Sequence, residues 1–392
     1  MHHLAQALLH YTLLSGGVKA SRQNLICHYL YLTDYNYITI DQPYRPSRLR
    51  ICSMLWKNKT VLVTGGASFI GSHLVDHLLE KDTPVIRVVD DLSSGREEHI
   101  RDHINAGRVE FHRADLFNPD ICQHMVKDID IVFHLAVLHG GRGYVDLHQA
   151  DCARNMVLDG LLIKAAQEAR IEKFVFASSG CVYPNYLQRD IEQEHYLTED
   201  MVGPPFEADN LYGWAKLMTE MTLRSYYQEY GMHSVSCRFF TVYGERGVEN
   251  HAVMAMIARA LIKQEPFEVW GDGTQIRNWT YVGDIVRGMV LAAEVIDNGA
   301  AVNLGTEERT RVIDAVQEIL RYTGHRADIR LRPDMPTGPL NRVASNQRAK
   351  RLLGWEPQVT FREGLRRTID WYFATKARDA VSTTLPQLLT AR

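Results

Sequence analysis

Short apolar runs alternate with stretches of helical periodicity from residue 60 to about residue 240. A run of four to six apolar residues between turn-forming residues is typical of a strand buried on both faces, whereas an apolar residue at every third or fourth position is typical of an amphipathic helix. Their alternation is a βαβ rhythm, which predicts an α/β fold around a doubly wound parallel sheet. The predicted strands are Val61–Thr64, Val85–Asp90, Val109–Arg113, Ile131–Leu135, Phe174–Ser178 and Val235–Phe240, and the predicted helices include Ser72–Lys81, Asn155–Arg170 and Ala215–Tyr230.

The pattern becomes shorter and more mixed after Gly244. We interpret this part as a smaller C-terminal lobe at the carboxyl edge of the sheet, where ligands of open α/β folds bind. The predicted domains are therefore residues 54–244, a dinucleotide-binding domain, and residues 245–380, a substrate-binding lobe of which some segments return to the first domain, with residues 381–392 as a tail. In the lobe we predict helices at Ala252–Lys263, Asp284–Val295 and Val312–Thr323 and a strand at Phe267–Trp270.

The first 53 residues differ from the rest of the chain. Leu4 to Leu14 is apolar but has neither a basic leading segment nor an evident cleavage site, which argues against a signal peptide. The tract from Tyr29 to Tyr44 is rich in Tyr and Asn and shows no periodicity. We therefore expect residues 1–53 to be a poorly ordered extension, and Met54 would be a natural start.

Composition excludes several classes of protein. The 392 residues are 45% hydrophobic and 23% charged, as in an ordinary globular protein, and the formal net charge of -3 gives no basic surface for nucleic acid. No apolar run reaches the about 18 residues of a membrane span. The six cysteines are widely spaced without a CxxC pair, which indicates reduced thiols in a cytoplasmic protein and no metal site.

A glycine-rich turn follows the first strand, from Thr64 to Gly71. Gly65 permits the tight turn, Gly71 permits close packing of helix on strand, and Ser68 stands where a middle glycine would let the backbone approach phosphate. Such a turn presents a dinucleotide pyrophosphate to a helix N-terminus, and the arrangement predicts a Rossmann-type sheet. Cofactor contacts are expected from Gly65, Ser68, Phe69, Ile70 and Gly71.

The ends of the next two strands carry carboxylates. Asp90 ends the second strand, where it can bind a ribose 2′-hydroxyl and repel a 2′-phosphate, which favours NAD over NADP even though Arg96 lies nearby. Asp115 and Leu116 follow the third strand and are placed to meet the adenine.

Tyr212 and Lys216 form a potential acid/base pair, because residues four apart share one face of a helix. A phenol with its ordinary pKa of about 10 is a poor base, but a neighbouring ammonium and a nicotinamide cation stabilise the phenolate. The hydroxyl of Ser179, at the end of another strand, would hydrogen-bond the same substrate oxygen. These three residues suit hydride transfer from a secondary alcohol to NAD.

Several segments together resemble the extended short-chain dehydrogenase/reductases, and more narrowly their nucleotide-sugar epimerase/dehydratase branch. The resemblance runs from about residue 57 to residue 375 and implies bound NAD, with Ala136 and Asn155 among the residues of its site, a nucleotide-diphosphate sugar as substrate, and a homodimer. In the family two helices form the subunit interface, and we place Leu158, Leu162, Met218 and Met221 on their outer faces. The matching segments are Val61–Gly66, Val89–Gly95, Phe133–Ala136, Ser178–Ser179, Tyr212 with Lys216, and Arg238–Gly244.

The residues around Cys181 differ between the branches of this family. Dehydratases carry an Asp-Glu pair after the catalytic hydroxyl, whereas Gly180-Cys181 resembles the GDP-mannose 3,5-epimerases and GDP-fucose synthases, in which the Cys exchanges protons beside a transient ketone. A His in the fucose synthases works with that Cys, and His251 matches it here. Two interpretations stay open: a 3,5-epimerase that uses Cys181 and His251, or a UDP-glucose type 4-epimerase in which Cys181 fills space and His251 caps a helix.

The family's substrate contacts match three further positions. Arg277 and Arg342 are expected to bind the diphosphate, and Thr241 is a further substrate-binding residue. A dehydratase or reductase is disfavoured by the missing Asp-Glu pair and by Asp90, respectively, and a non-catalytic NAD-binding subunit by the complete Tyr212, Lys216 and Ser179 set. The nucleotide base is not specified by these residues.

Overall fold

Seven parallel strands form the central sheet of the structure, a computed structural model in which residues 56–389 are described. The strands of the described region are β1 Val61–Thr64, β2 Ile86–Asp90, β3 Val109–Arg113, β4 Ile131–His134, β5 Lys173–Ser179, β6 Ser234–Phe239, β7 Val242–Tyr243, β8 Phe267–Trp270, β9 Ile276–Arg277, β10 Thr280–Tyr281, β11 Asn298–Leu304, β12 Thr310–Arg311, β13 Ile329–Arg332 and β14 Asn341–Arg342. The order in the main sheet is β11-β6-β5-β4-β1-β2-β3, so the winding reverses between β1 and β4. The predicted Rossmann-type sheet is confirmed.

Helices connect these strands. They are α1 Phe69–Glu80, α2 Arg101–Asn105, α3 Pro119–Met125, α4 Arg142–Leu147, α5 Gln149–Ala153, α6 Asn155–Glu168, α7 Asn210–Tyr230, α8 Ala252–Leu261, α9 Val282–Val295, α10 Val312–Thr323, α11 Gln347–Leu353, α12 Phe361–Thr375 and α13 Arg378–Leu388. The first of them begins three residues before the predicted Ser72, because Ser68 has extended backbone angles and occupies the N-cap position. The last helix lies largely in the predicted tail.

Apolar side chains cover the sheet on both faces. Val61 and Val63 of β1 pack with α1 and α9, while Leu62 points to the opposite face and packs with α3 and α6. This alternation follows from the two-residue period of a strand. Leu158 and Leu162 belong to the second cluster and are 4% and 0% exposed, so their predicted place on an outer, intersubunit face is wrong. The helix α6 buries that side against its own sheet.

The C-terminal half builds a second core and also completes the sheet. Helices α8, α10, α12 and α13 pack together with β8. Strand β11 pairs in parallel with β6, and α9 packs on the first face of the sheet. The boundaries predicted at residues 244 and 380 stay predictions, and the extension predicted at residues 1–53 lies outside the described residues.

Two further sequence expectations concern the described residues. None of the helices between residues 56 and 389 is long and apolar enough to cross a membrane. The cysteines in this range, Cys122, Cys152, Cys181 and Cys237, are free thiols. Cys27 and Cys52 lie outside it.

Candidate active site

A cavity of about 730 Å³ opens at the carboxyl ends of β1, β2, β4, β5 and β6 and continues into the C-terminal half. This is the edge at which parallel α/β sheets bind ligands. With one exception, Asn155, the residues predicted for the site line this cavity. They are Gly65, Ser68, Phe69, Ile70, Gly71, Asp90, Asp115, Leu116, Ala136, Ser179, Cys181, Tyr212, Lys216, Thr241, His251, Arg277 and Arg342.

The glycine-rich turn joins β1 to α1 at one end of the cavity. Gly65 has φ +67°, and a Cβ on Gly71 would lie only 2.1 Å from the Gly65 carbonyl oxygen, so a side chain there would push the helix off the strand. Ser68 precedes α1 without a side-chain cap bond. The amides of the first turn thus remain available to an anionic ligand, as a pyrophosphate requires.

Asp90 is held by the same turn. Its Oδ2 accepts hydrogen bonds from the Ala67 amide at 3.0 Å and the Ser68 hydroxyl at 3.1 Å, and Oδ1 accepts one from the Leu92 amide at 2.9 Å. Burial raises the pKa of this carboxyl, and the three hydrogen bonds oppose that effect. A carboxylate fixed in this position fits a ribose diol and leaves no place for a second phosphate.

Asn155 is fully buried and acts on the loop after β4. Its Oδ1 accepts a hydrogen bond from the Leu138 amide at 2.7 Å, and its Nδ2 donates to the Leu138 carbonyl at 2.9 Å. The Asn155 side chain thus bonds both backbone groups of Leu138, as a neighbouring strand would, and fixes the loop. Leu138 lines the cavity, so the structure connects Asn155 to the site through this loop. A direct contact between Asn155 and the cofactor stays a prediction.

Tyr212 and Lys216 lie one helical turn apart near the start of α7, and both are almost fully buried. The Ser179 hydroxyl lies near enough to the Tyr212 phenol to stabilise its phenolate, while the Lys216 Nζ lies 4.4 Å from the centre of the Phe176 ring. Burial raises the pKa of Tyr212, and the Ser179 contact opposes this. Burial also lowers the pKa of Lys216, against the attraction of Asp159. Bound NAD would supply a cationic nicotinamide that accepts hydride and favours the phenolate.

His139 also belongs to this site, although the sequence analysis did not select it. Its ring stacks on Tyr212 with 4.7 Å between centroids and lies 5.4 Å from the ring of His251. The loop that carries His139 passes close to the backbone of Asn250. Gly141 permits this contact, because a Cβ there would lie 1.7 Å from the Asn250 carbonyl oxygen. The available signal was a pair of glycines flanked by His139 and Arg142 in the loop after β4.

Arg342 lies against Cys181. Its Nη1 donates to the Cys181 Sγ at 3.2 Å and its Nη2 to Asp209 Oδ2 at 2.8 Å. Arg142, also absent from the predicted set, donates to the same Asp209 oxygen at 2.7 Å. Burial would raise the pKa of Asp209, but the two guanidinium groups bring it below its ordinary value. The Arg342 guanidinium is thus fixed beside the thiol, and its contact with phosphate stays a prediction.

Arg277 contributes a third guanidinium to the cavity. It donates to the carbonyl oxygens of Ile276 and Thr337, each at 2.8 Å, and within residues 56–389 it forms no ion pair with a carboxylate. Burial, together with the charges of Arg342 and Arg142, lowers its pKa to about 9. Cations crowded in this way are stabilised by an anionic ligand.

His251 occupies the N-cap position of α8 but forms no side-chain cap bond. Capping therefore does not account for this residue. Burial lowers the pKa of its imidazole to about 4, so the ring is neutral near pH 7. A neutral imidazole can accept a proton.

Comparison with known proteins agrees with this geometry. The model of the NAD dependent epimerase/dehydratase family matches residues 61–305. The chain belongs to this family. The GDP-mannose 3,5-epimerase of Arabidopsis thaliana is 30% identical to it over 80% of this chain and 82% of the relative.

Solved structures of epimerases also superpose on this family member. The UDP-glucose 4-epimerase of Thermotoga maritima, solved with UDP-glucose, has a TM-score of 0.72 and 29% identity, covering 81% of this chain and 99% of that one. The UDP-glucuronic acid 4-epimerase of Bacillus cereus, in complex with UDP-glucuronic acid and NAD, has a TM-score of 0.73 and 28% identity, covering 81% and 100%. The predicted family, the NAD cofactor and the class of NAD-dependent nucleotide-sugar epimerase are confirmed.

Proposed function

We propose that this epimerase oxidises a nucleotide-bound sugar transiently at C4 and inverts a carbon next to the resulting ketone, as a 3,5-epimerase does. The observation that carries the proposal is that one cavity is lined by Tyr212, Cys181 and His251. A 4-epimerase has no need of the last two groups, because rotation of the ketone suffices to invert C4.

Tyr212 takes the proton of the sugar hydroxyl in this mechanism. Ser179 stabilises the phenolate, and Lys216 contributes a positive charge from the next helical turn. Stacking against His139 fixes the plane of the phenol ring. Oxidation and re-reduction of one bound sugar restore the cofactor, so net turnover consumes none.

Cys181 and His251 move carbon-bound protons. A ketone at C4 acidifies the hydrogens at C3 and C5, so a modest base can remove them. His251 is neutral near pH 7 and can accept such a proton, while the Cys181 thiol can donate one to the opposite face of the carbon. The hydrogen bond from Arg342 to Sγ stabilises the thiolate that this donation leaves.

The arginines suit the nucleotide diphosphate. Arg277 has a lowered pKa and no carboxylate partner within residues 56–389, so a phosphate would relieve the repulsion from Arg342 and Arg142. Thr241 follows β6 at the same end of the cavity and offers a hydroxyl to the substrate. We assign Arg277 to the diphosphate and Arg342 to both the thiol and the substrate.

A 4-epimerase is the second candidate. It is favoured by the solved 4-epimerases that cover about four-fifths of this chain and by the complete set of Tyr212, Lys216 and Ser179, which is sufficient for C4 chemistry. In that case Cys181 and His251 are structural.

Turnover in D₂O separates the two functions. We expect wild-type protein to introduce deuterium at C3 or C5 of the recovered sugar, detected by mass spectrometry and NMR, and Cys181→Ser and His251→Asn each to reduce this exchange by roughly 10²–10⁴-fold while C4 oxidation survives. Cys122→Ser is the matched control, since this buried thiol packs under the sheet. Inversion at C4 alone, without deuterium uptake in wild type, would establish the 4-epimerase.

We further propose a cytoplasmic homodimer built on the exposed face of α6 and α7. Met156, Val157 and Met218 are 42%, 55% and 44% exposed, respectively, and form an apolar surface that a second copy would cover. The pair Val157→Asp and Met218→Asp should shift the mass measured by light scattering from dimer to monomer, whereas Leu331→Asp, on the equally exposed surface of β13, should not. A wild-type monomer at micromolar concentration would contradict the proposal.

A further inference from the structure

Two charged side chains of the cavity have no part in the chemistry described so far. Arg259 of α8 and Glu268 of β8 both line the cavity, where it is walled by the C-terminal half of the chain. Arg259 is only 4% exposed, and its Nε has no hydrogen-bond partner among the described residues. Burial lowers its pKa to about 10, while Glu268 opposes this shift. A buried guanidinium nitrogen without a hydrogen-bond partner is costly, which indicates a ligand group that accepts from it.

The cavity is lined by other buried polar atoms of this kind. Gln275 and Trp279 also line the cavity and are 3% and 2% exposed, and within the described part of the chain Gln275 Oε1 and Trp279 Nε1 have no hydrogen-bond partner. One is an acceptor and the other a donor. Their presence in the same cavity as Arg259 indicates a polar ligand with both donors and acceptors rather than an apolar one.

Glu268 is held in a defined position. Its backbone amide donates to Gln264 Oε1 at 3.0 Å, and its Oε1 accepts a hydrogen bond from Arg332 Nη1 at 3.0 Å. Among residues 56–389 no side chain is bonded to Oε2. Trp270 lies two residues further along β8, so the two side chains share one face of the strand, and both line the cavity. An indole beside a carboxylate offers a stacking surface next to an acceptor.

Nucleobases differ in how well their donors and acceptors match the side chains of Arg259 and Glu268. Guanine presents the acceptors O6 and N7 and the neighbouring donors N1–H and N2–H₂, which match a guanidinium and a carboxylate, respectively. Uracil and thymine present a single N3–H between two carbonyl oxygens, and these oxygens repel a carboxylate. Adenine has one amino donor next to ring acceptors, and therefore lacks the donor pair.

We propose that Glu268 and Arg259 bind a guanine base, so that the substrate is a GDP-sugar. This rests on the proposed function, because it takes the cavity to hold a nucleotide-diphosphate sugar. Glu268 Oε2 accepts from the N1–H and N2–H₂ edge, Arg259 donates to O6, and Trp270 stacks on the base. The diphosphate then leads from this part of the cavity to Arg277.

Calorimetric titration of the full chain with GDP, IDP, UDP and ADP tests the assignment without any chemical step. GDP should bind roughly 10- to 100-fold more tightly than UDP or ADP, and IDP, which lacks the 2-amino group, should lie between them. Glu268→Gln should weaken the binding of GDP by a similar factor and remove the difference in affinity between GDP and IDP, while the affinity for UDP stays unchanged. Arg259→Met should weaken the binding of GDP and of IDP equally, because both carry O6. Glu363→Gln, on the exposed side of α12, is the control.

Other results of the titration would overturn the guanine assignment. Equal affinities for GDP and UDP in wild type, or an equal loss for all four nucleotides in Glu268→Gln, would overturn the guanine assignment. Tight binding of UDP alone would overturn it and leave the proposed epimerase intact. Absence of binding by every nucleoside diphosphate would remove the proposed nucleotide-sugar substrate and the guanine assignment together.

Discussion

Tyr212→Phe is expected to lower kcat by roughly 10²–10⁴-fold, the usual contribution of a positioned acid/base group, while NAD stays bound. The substitution removes only the phenolic oxygen, which the Ser179 hydroxyl contacts. The residue is 7% exposed and its ring stacks on His139 at 4.7 Å, and phenylalanine retains both features. The loss should therefore appear in the chemical step and not in folding or in cofactor binding.

The measurement is turnover of the nucleotide sugar without added cofactor, together with the content of bound NAD after purification. Wild-type protein should work under these conditions, because the cofactor is regenerated in each cycle. Tyr230→Phe is the matched control, as this residue of the same helix is 58% exposed. A variant that keeps kcat within tenfold of wild type would remove Tyr212 from the role of base, and accumulation of NADH in wild type would indicate a dehydrogenase instead.

Arg238→Met should lower the free energy of unfolding by about 3–5 kcal/mol, because it leaves the carboxylate of Glu220 buried without its partner. Arg238 Nε and Nη2 donate to the two oxygens of Glu220 at 2.9 and 2.7 Å, and the side chains are 4% and 1% exposed. Burial would lower the pKa of Arg238, but the charge of Glu220 raises it above its ordinary value. The pair joins β6 to α7 one turn after Lys216, so its loss also loosens the helix that carries Tyr212 and Lys216.

Urea unfolding of Arg238→Met and of the double variant Glu220→Met with Arg238→Met provides the test. The double variant should be less destabilised than the single one, since it buries no unpaired charge. Arg321→Met, in an exposed pair with Glu318, should leave the free energy of unfolding close to that of wild type. If the single variant is as stable as wild type, the pair of Arg238 and Glu220 does not stabilise the fold.

Local patterns were sufficient for much of the site. The glycine-rich turn, Asp90 at a strand end, and Tyr212 with Lys216 on one helix face each depend on residues close in the sequence, and the structure places all of them around one cavity. The parallel pairing of strands β1 to β6 also follows from the βαβ rhythm, whereas β11 was not among the predicted strands.

Contacts between distant segments could not be predicted in this way. The hydrogen bond from Arg342 to Cys181 joins residues 161 positions apart, and its existence depends on the path of the chain between them. His139 enters the site only because the loop after β4 meets Asn250. The error at Leu158 has a related cause: α6 carries apolar residues on two sides, and periodicity alone does not tell which side faces the sheet.

Strand β11 has a consequence for synthesis of the protein. It starts about 60 residues after β6 ends, yet it supplies the neighbour of β6 in the sheet. During translation the amide and carbonyl groups on that edge of β6 stay unpaired until residues 298–304 have left the ribosome, and an unpaired apolar edge invites association with other chains. A fragment that stops near residue 244 would keep this open edge permanently. The strands before residue 244 therefore depend on the later part of the chain to pair this edge of β6.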